Sequence, residues 1–138
     1  MSSSRVIDIA DLSLTFETND GPVHALSNVS LGIEKGDFVS LIGPSGCGKT
    51  TTLKIICTLL RPSYGEAQVF GHNVRNETLQ VRKRIGFMPD HFSMYRQMTV
   101  YEYLDFFGAA YGLTLEQRDR VIGNVLTLTD MDGRKDDL

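Results

Sequence analysis

Residues 43–50, GPSGCGKT, constrain the fold of this chain more than any other stretch of its 138 residues. Glycine loses more conformational freedom on folding than any other residue, so the three glycines Gly43, Gly46 and Gly48 need a compensating reason. A glycine, four residues, a second glycine, lysine and threonine form the phosphate-binding loop pattern. In such a loop the backbone N–H groups approach phosphate oxygens that a Cβ would keep away. The spacing therefore predicts a binding site for a nucleoside triphosphate here.

The flanking residues fit the same chemistry. A short apolar run, FVSLIG, precedes the loop and predicts a strand buried on both faces. Four apolar residues follow at helical spacing: Leu53, Ile56, Cys57 and Leu60. The positive end of that helix would point at the phosphates, with the Lys49 ammonium between the outer ones. The Thr50 hydroxyl would bind Mg²⁺. The predicted nucleotide-binding residues of this segment are Gly43, Pro44, Ser45, Gly46, Cys47, Gly48, Lys49, Thr50 and Thr51.

The rest of the chain predicts strands first and helices later. RVIDIADLSLTF alternates, with Leu12, Leu14 and Phe16 on one face, and NVSLGI alternates again, so both are predicted antiparallel strands. AQVFG and IGFM are two more short strands. Ile55 and Leu59 add apolar surface to the helix after the loop, which we therefore expect to be covered nearly all round. The order of strand, loop and helix is typical of a parallel α/β fold.

The last third is predicted to be helical. Thr99 with Glu102, and Thr114 with Gln117, match the capping box that starts a helix. Gly112 is placed where a left-handed residue would end the first of these helices. Two separate helices are therefore expected after residue 98.

Composition and charge exclude several classes of protein. The net charge is −3, so no whole-chain basic field attracts nucleic acid, and no partner of that kind is expected. No apolar run approaches the roughly 18 residues of a membrane span. The N-terminus lacks the apolar core of a signal peptide, and two cysteines suit a reducing compartment. We expect a cytoplasmic location.

The segment GPSGCGKTT resembles the Walker A loop of ATP-binding-cassette (ABC) ATPases. VHALSNVSLGIEKGDFVSLIG before it and RIGFMPDHFSMYRQMTVYEYLDFFGAAYG after it extend the resemblance over about residues 5–138. MTVYEYLDFF most resembles the ATPases of multidrug and ABC-2-type exporters. The resemblance implies an incomplete α/β P-loop NTPase core in residues 1–90, with an N-terminal antiparallel β portion. Residues 91–138 would begin a helical subdomain.

The resemblance also implies roles for two residues outside the loop. Phe16 would stack on adenine, although it could instead complete the core face of Leu12 and Leu14. Asp90 stands where the family usually has a glutamine that touches Mg²⁺ and the attacking water. Asp90 would bind Mg²⁺ through a water, or would merely cap or turn the following segment. Lys49 and Asp90 are the predicted catalytic residues, and Thr50 and Asp90 the predicted metal ligands.

The implied partners are ATP, Mg²⁺, a membrane-spanning transporter subunit and a second ATPase subunit, with the chain peripheral at the inner face of the membrane. The chain is rich in aromatic residues on one predicted helix, and these serve as core or as interface with the membrane-spanning partner. They are Tyr101, Tyr103, Phe106, Phe107 and Tyr111.

The chain does not contain the family's LSGGQ signature, the apolar strand ending in Asp-Glu, or the switch histidine. We therefore expect this chain alone to bind Mg-ATP weakly and to turn it over negligibly. Two alternatives stay open: a soluble ABC-type ATPase of DNA repair or translation, and a short module that binds nucleotide without catalysis. The sequence contains no Asn-Lys-x-Asp, so a GTPase is not indicated.

Overall fold

The computed structural model describes residues 5–91 and 95–138. Residues 1–4 lie outside the described residues, and so do residues 92–94, which follow shortly after Asp90. The chain divides into two compact units, Met1–Met88 and Pro89–Leu138. The assignment of these parts to a core and a helical subdomain stays a prediction.

The first unit is a four-stranded antiparallel sheet with two helices. Its strands lie in the order β2-β1-β3-β4. The strands are β1 (Arg5–Thr18), β2 (Gly21–Glu34), β3 (Tyr64–Val69) and β4 (His72–Asn73), and the helices are α1 (Lys49–Ile56) and α2 (Thr78–Arg82). The strands predicted from RVIDIADLSLTF, NVSLGI and AQVFG are confirmed. Because β1 and β2 form a hairpin, the end of β1 lies beside the start of β2.

A bulge in β1 changes which residues face the core. The pairing of β1 with β2 shifts register between Ile9 and Leu12, and Asp11 lies in the left-handed region with φ 48°. Ile9 and Leu12 are therefore both buried, although residues three apart in a regular strand face opposite sides. Leu14 is buried with Leu12, as the alternation predicted.

Helix α1 packs on the sheet through one face only. Ile55 and Ile56 are buried in the same core as the strand residues, and α1 contacts β2 and β3. On the other side, Leu53 is 43% exposed and Leu59, just after the helix, is 54% exposed. The expectation of a helix covered nearly all round is therefore wrong for this structure, because the described sheet covers a single side.

Two predicted strands are not strands in the structure. Residues 38–42 and 85–88 take no regular secondary structure, and no described strand pairs with either segment. Most of their apolar side chains are exposed, with Phe38 at 97%, Ile42 at 93% and Met88 at 82%, whereas Ile85 packs against the core. A strand needs a hydrogen-bonded neighbour, and a run buried on both faces also needs covering layers. The described residues supply neither to these segments.

The second unit contains two helices, α3 (Val100–Ala110) and α4 (Leu115–Leu128), and a 3₁₀ turn at Asp132–Arg134. Both predicted capping boxes are confirmed, with the Thr99 and Thr114 hydroxyls each accepting a backbone N–H three residues on. Gly112 has φ 79°, as predicted for a residue that ends a helix. These local signals fix where each helix begins.

Polar contacts join α3 to α4. The Arg118 guanidinium lies 2.6 Å from the Asp105 carboxylate. The Tyr101 hydroxyl donates to Asp119, and this hydrogen bond raises the pKa of Tyr101. The pair of helices is thus held together by directional bonds as well as by apolar packing.

Candidate functional site

In the 43–50 loop, a separate structural reason explains why each of the three positions is occupied by glycine. Gly46 and Gly48 have φ of 82° and 94°, a region that L-residues rarely adopt. A Cβ on Gly48 would also overlap the Leu26 side chain and lie 3.3 Å from the Ala25 carbonyl oxygen. A Cβ on Gly43 would lie 2.7 Å from the Cys47 sulfur. The loop thus needs glycine for backbone conformation and for close approach of its own parts.

The Lys49 ammonium group lies across this loop. It donates to the carbonyl oxygens of Gly43 and Pro44, both at 2.7 Å, and is 3.4 Å from the Cys47 sulfur. These bonds hold a positive charge where the backbone turns at the N-terminal end of α1. The position of the charge suits a polyphosphate anion.

Gly48 is also the N-terminal cap residue of α1. Its carbonyl oxygen accepts hydrogen bonds from the backbone N–H and the hydroxyl of Thr52, both at 2.9 Å. Thr52 is 5% exposed, so it anchors the first turn from the inside. Thr50 is exposed and Thr51 is half-buried, so this side of the first turn is accessible.

A cavity of about 670 Å³ brings Phe16 together with the loop. Its walls come from the end of β1, the start of β2, and the loop with the first turn of α1. They are Phe16, Val23, His24, Ala25, Ser45, Gly46, Gly48, Lys49, Thr50 and Thr51. Phe16 is 41% exposed, whereas Leu12 and Leu14 on the same strand are buried. The Phe16 ring is therefore available at the cavity.

Sequence reasoning missed three of these wall residues, Val23, His24 and Ala25. Their position follows from the hairpin, in which Phe16 pairs with Val23 and Thr15 with His24. The turn chemistry of NDGP, where β1 ends and β2 begins, was the available signal, because a turn of known length would have fixed the register. Gly43, Pro44 and Cys47 shape the loop without forming the cavity wall.

The donor set fits Mg²⁺ bound together with a nucleotide. Mg²⁺ keeps several water ligands and usually takes one or two protein oxygens besides the phosphates. Thr50, an exposed residue on the cavity wall, can supply one such oxygen from its hydroxyl. The described residues contain no group of three or more His, Cys, Asp or Glu side chains that could hold a metal. Asp90 is exposed and lies in the second unit, so its part in the site stays a prediction.

Comparison with known protein families decides the class. Residues 26–138 match the family model described as ABC transporter, which is most of the chain. The chain belongs to the ABC transporter family. This confirms the resemblance, and the ABC-type fold class is confirmed by the solved structures that are similar.

Two curated relatives illustrate the range of the family. This ABC-type chain is 31% identical over 135 residues to methionine import ATP-binding protein MetN 1 of Enterococcus faecalis, covering 95% of the chain and 38% of the relative. It is 36% identical over 108 residues to the probable multidrug ABC transporter ATP-binding protein YbhF of Escherichia coli, covering 78% of the chain and 18% of the relative. The chain thus spans well under half the length of either relative.

The fold is similar to that of the ATP-binding cassette MJ0796, solved as a dimer in a post-hydrolysis state bound to ADP and Pi. The TM-score is 0.78 at 28% identity, and the match covers 94% of this ABC-type chain and 60% of that chain. None of the helices in residues 5–91 and 95–138 has the length and apolar character that a membrane span requires.

Proposed function

We propose that this chain is the ATP-binding part of an ABC transporter ATPase that couples Mg-ATP binding and hydrolysis to export through a membrane-spanning partner. The observation that carries the proposal is the cavity shared by Phe16 and the phosphate loop. Adenine stacks on the Phe16 ring at one end of it. The phosphates lie at the start of α1, where backbone N–H groups and Lys49 meet them, and Thr50 binds Mg²⁺.

Asp90 is the second protein contact of Mg²⁺ in this proposal. A carboxylate is a good partner for Mg²⁺, but it is one methylene shorter than the glutamine usual in the family and brings negative charge towards the γ-phosphate. We therefore assign Asp90 a contact with Mg²⁺ through a water. The exposure of its side chain is compatible with this contact.

Helix α3 provides the surface for the membrane-spanning partner. None of its residues is fully buried, and Phe106 on the helix is 50% exposed and Tyr111, just after it, is 76% exposed. Tyr95 packs edge-on against Phe106 at 6.3 Å between ring centroids, which extends the aromatic surface beyond the helix. Exposed aromatic area of this kind favours a protein interface.

The second subunit and the direction of transport belong to the same proposal. A second ATPase subunit, like this one or different, pairs with the chain, as MJ0796 pairs in its dimer structure. The named relatives include both an import protein and a probable multidrug transporter protein. Export is proposed because of the resemblance of MTVYEYLDFF to exporter ATPases. The chain then acts at the inner face of the membrane, held there by its partner.

The location of the nucleotide is tested by the reactivity of Cys47. Its side chain is exposed within the phosphate loop. Mg-ATP at about ten times its dissociation constant should slow alkylation of Cys47 about tenfold, because the bound phosphates cover the loop. The rate is measured by mass spectrometry of the two cysteine peptides.

Cys57 is the internal control for that experiment. It is half-buried after α1, and burial raises the pKa of its thiol. Its slower alkylation should be the same with and without nucleotide. Equal rates at Cys47 in the presence and absence of Mg-ATP would contradict the proposed site.

Turnover by this chain alone should be far below the roughly 1 per second of an ordinary enzyme, because the groups that orient the attacking water are not all encoded in it. Phosphate release is measured with excess Mg-ATP, and the Lys49→Ala variant gives the background rate. A rate near 1 per second that disappears in Lys49→Ala would show that these residues suffice for catalysis.

A further inference from the structure

The β2 wall of the nucleotide cavity carries one polar side chain that the phosphate loop does not explain. His24 lies on this wall between Val23 and Ala25. Its Nδ1 is 2.9 Å from the Thr15 hydroxyl oxygen on β1, which fixes the orientation of the ring. Among the described residues Nε2 has no hydrogen-bond partner. A held imidazole with its second nitrogen free is a candidate ligand contact.

The position of His24 along β2 indicates which part of a nucleotide it meets. Val23 pairs with Phe16, the proposed adenine platform. The Ala25 carbonyl oxygen lies against Gly48 at the start of α1, where the phosphates are proposed to bind. His24 is therefore midway between the base end and the phosphate end of the cavity. The ribose is the group that joins those two parts.

The chemistry of the ring favours the same group. If the Thr15 hydroxyl donates to Nδ1, then Nε2 carries the proton and donates; in the other tautomer Nε2 accepts. A ribose hydroxyl both donates and accepts, so it pairs with either tautomer. A phosphate oxygen only accepts and would suit one of them.

We infer that His24 binds the ribose of the nucleotide through Nε2, with Thr15 as its positioning residue. The inference rests on the proposed nucleotide site and adds a residue that recognises the sugar. It requires that the contact be common to all ribonucleoside triphosphates and be missing with a ligand that has no sugar.

The test compares three magnesium-bound ligands, ATP, GTP and inorganic tripolyphosphate, by competition for a fluorescent ATP analogue. His24→Ala should lower the affinities for ATP and for GTP by the same factor, about tenfold, because each nucleotide loses one hydrogen bond. Its affinity for tripolyphosphate should be unchanged. Phe16→Ala should also spare tripolyphosphate, but should affect the two nucleotides unequally because the stacking depends on the base.

Two further variants separate a ligand contact from a structural effect. Thr15→Val should lower the affinity for ATP by a smaller factor. Adding it to His24→Ala should cause no further loss of affinity, because the hydroxyl acts through the ring. His24→Gln should restore part of the lost affinity. The control is His72→Ala in β4, a histidine that is not on the cavity wall and should leave all three affinities unchanged.

The outcomes distinguish this inference from the proposed function. If Lys49→Ala lowers the affinity for all three ligands while His24→Ala changes none of the affinities, the inferred ribose contact is wrong but the proposed nucleotide site is unaffected. If His24→Ala weakens tripolyphosphate as much as ATP, His24 acts through the loop and the ribose contact is again wrong. If the wild-type chain binds none of the three ligands, the proposed function itself fails.

Discussion

Lys49→Ala should weaken Mg-ATP binding at least about 100-fold. Hydrogen bonds to charged groups contribute about 1.5–3 kcal/mol each, and in the proposed complex the ammonium would bond more than one phosphate oxygen, so the loss would correspond to two decades or more in Kd. In the structure the same ammonium bonds the Gly43 and Pro44 carbonyl oxygens. Removing it leaves those oxygens to water, so the loop loses its charge while the core is unaffected.

Lys54→Ala is the matched control for that change. Lys54 lies on the same helix and is exposed, but it is not on the cavity wall. Its removal alters net charge equally and should change Kd by less than a factor of about two, because surface charges at a distance are screened. Calorimetric titration gives Kd, and thermal unfolding checks that both variants are folded. Equal affinities for Lys49→Ala and wild type would remove the central residue of the proposed site.

Gly65→Ala should be the most destabilising single methyl addition in the first unit. Its φ is 79°, and a Cβ would lie 2.6 Å from the Ala10 carbonyl oxygen and 2.5 Å from the Asp11 carbonyl carbon. These are backbone atoms of the β1 bulge and cannot rotate away. Left-handed strain and overpacking together give a loss of about 2–5 kcal/mol in the free energy of unfolding. Urea unfolding followed by circular dichroism measures it.

Gly71→Ala separates conformational strain from steric overlap. Its φ is 78°, almost that of Gly65, but a Cβ there would meet nothing within 4 Å. Only the left-handed conformation is then penalised, so the loss should be about 1–2 kcal/mol. If the two variants are equally destabilised, the close approach of β3 to the β1 bulge does not constrain residue 65.

Signals contained within a few residues were predictable from the sequence. The capping boxes at Thr99 and Thr114 need only a hydroxyl and a partner three residues later, and both helices begin where those pairs predict. The phosphate loop was likewise readable from spacing, because its glycines serve a local backbone shape. The family followed from the same motif and is confirmed by the match over residues 26–138.

Features that depend on pairing between distant segments were not predictable in the same way. The bulge at Asp11 places Ile9 in the core, and no alternation pattern shows such an extra residue. The same holds for His24, which reaches the cavity only through the register of the hairpin. The strands predicted at residues 38–42 and 85–88 failed because apolar sequence specifies a buried strand only when neighbours pair with it.

The two ends of the phosphate loop are held very differently. Its exit leads into α1, a helix whose last residues, Ile55 and Ile56, pack in the core against the sheet, whereas its entry, residues 38–42, pairs with no described strand. An entry segment without a pairing strand keeps backbone freedom that a bound nucleotide would restrict, and fixing each backbone residue costs about 1–2 kcal/mol of entropy. Any neighbour that clamps the entry segment would therefore tighten nucleotide binding without touching the nucleotide.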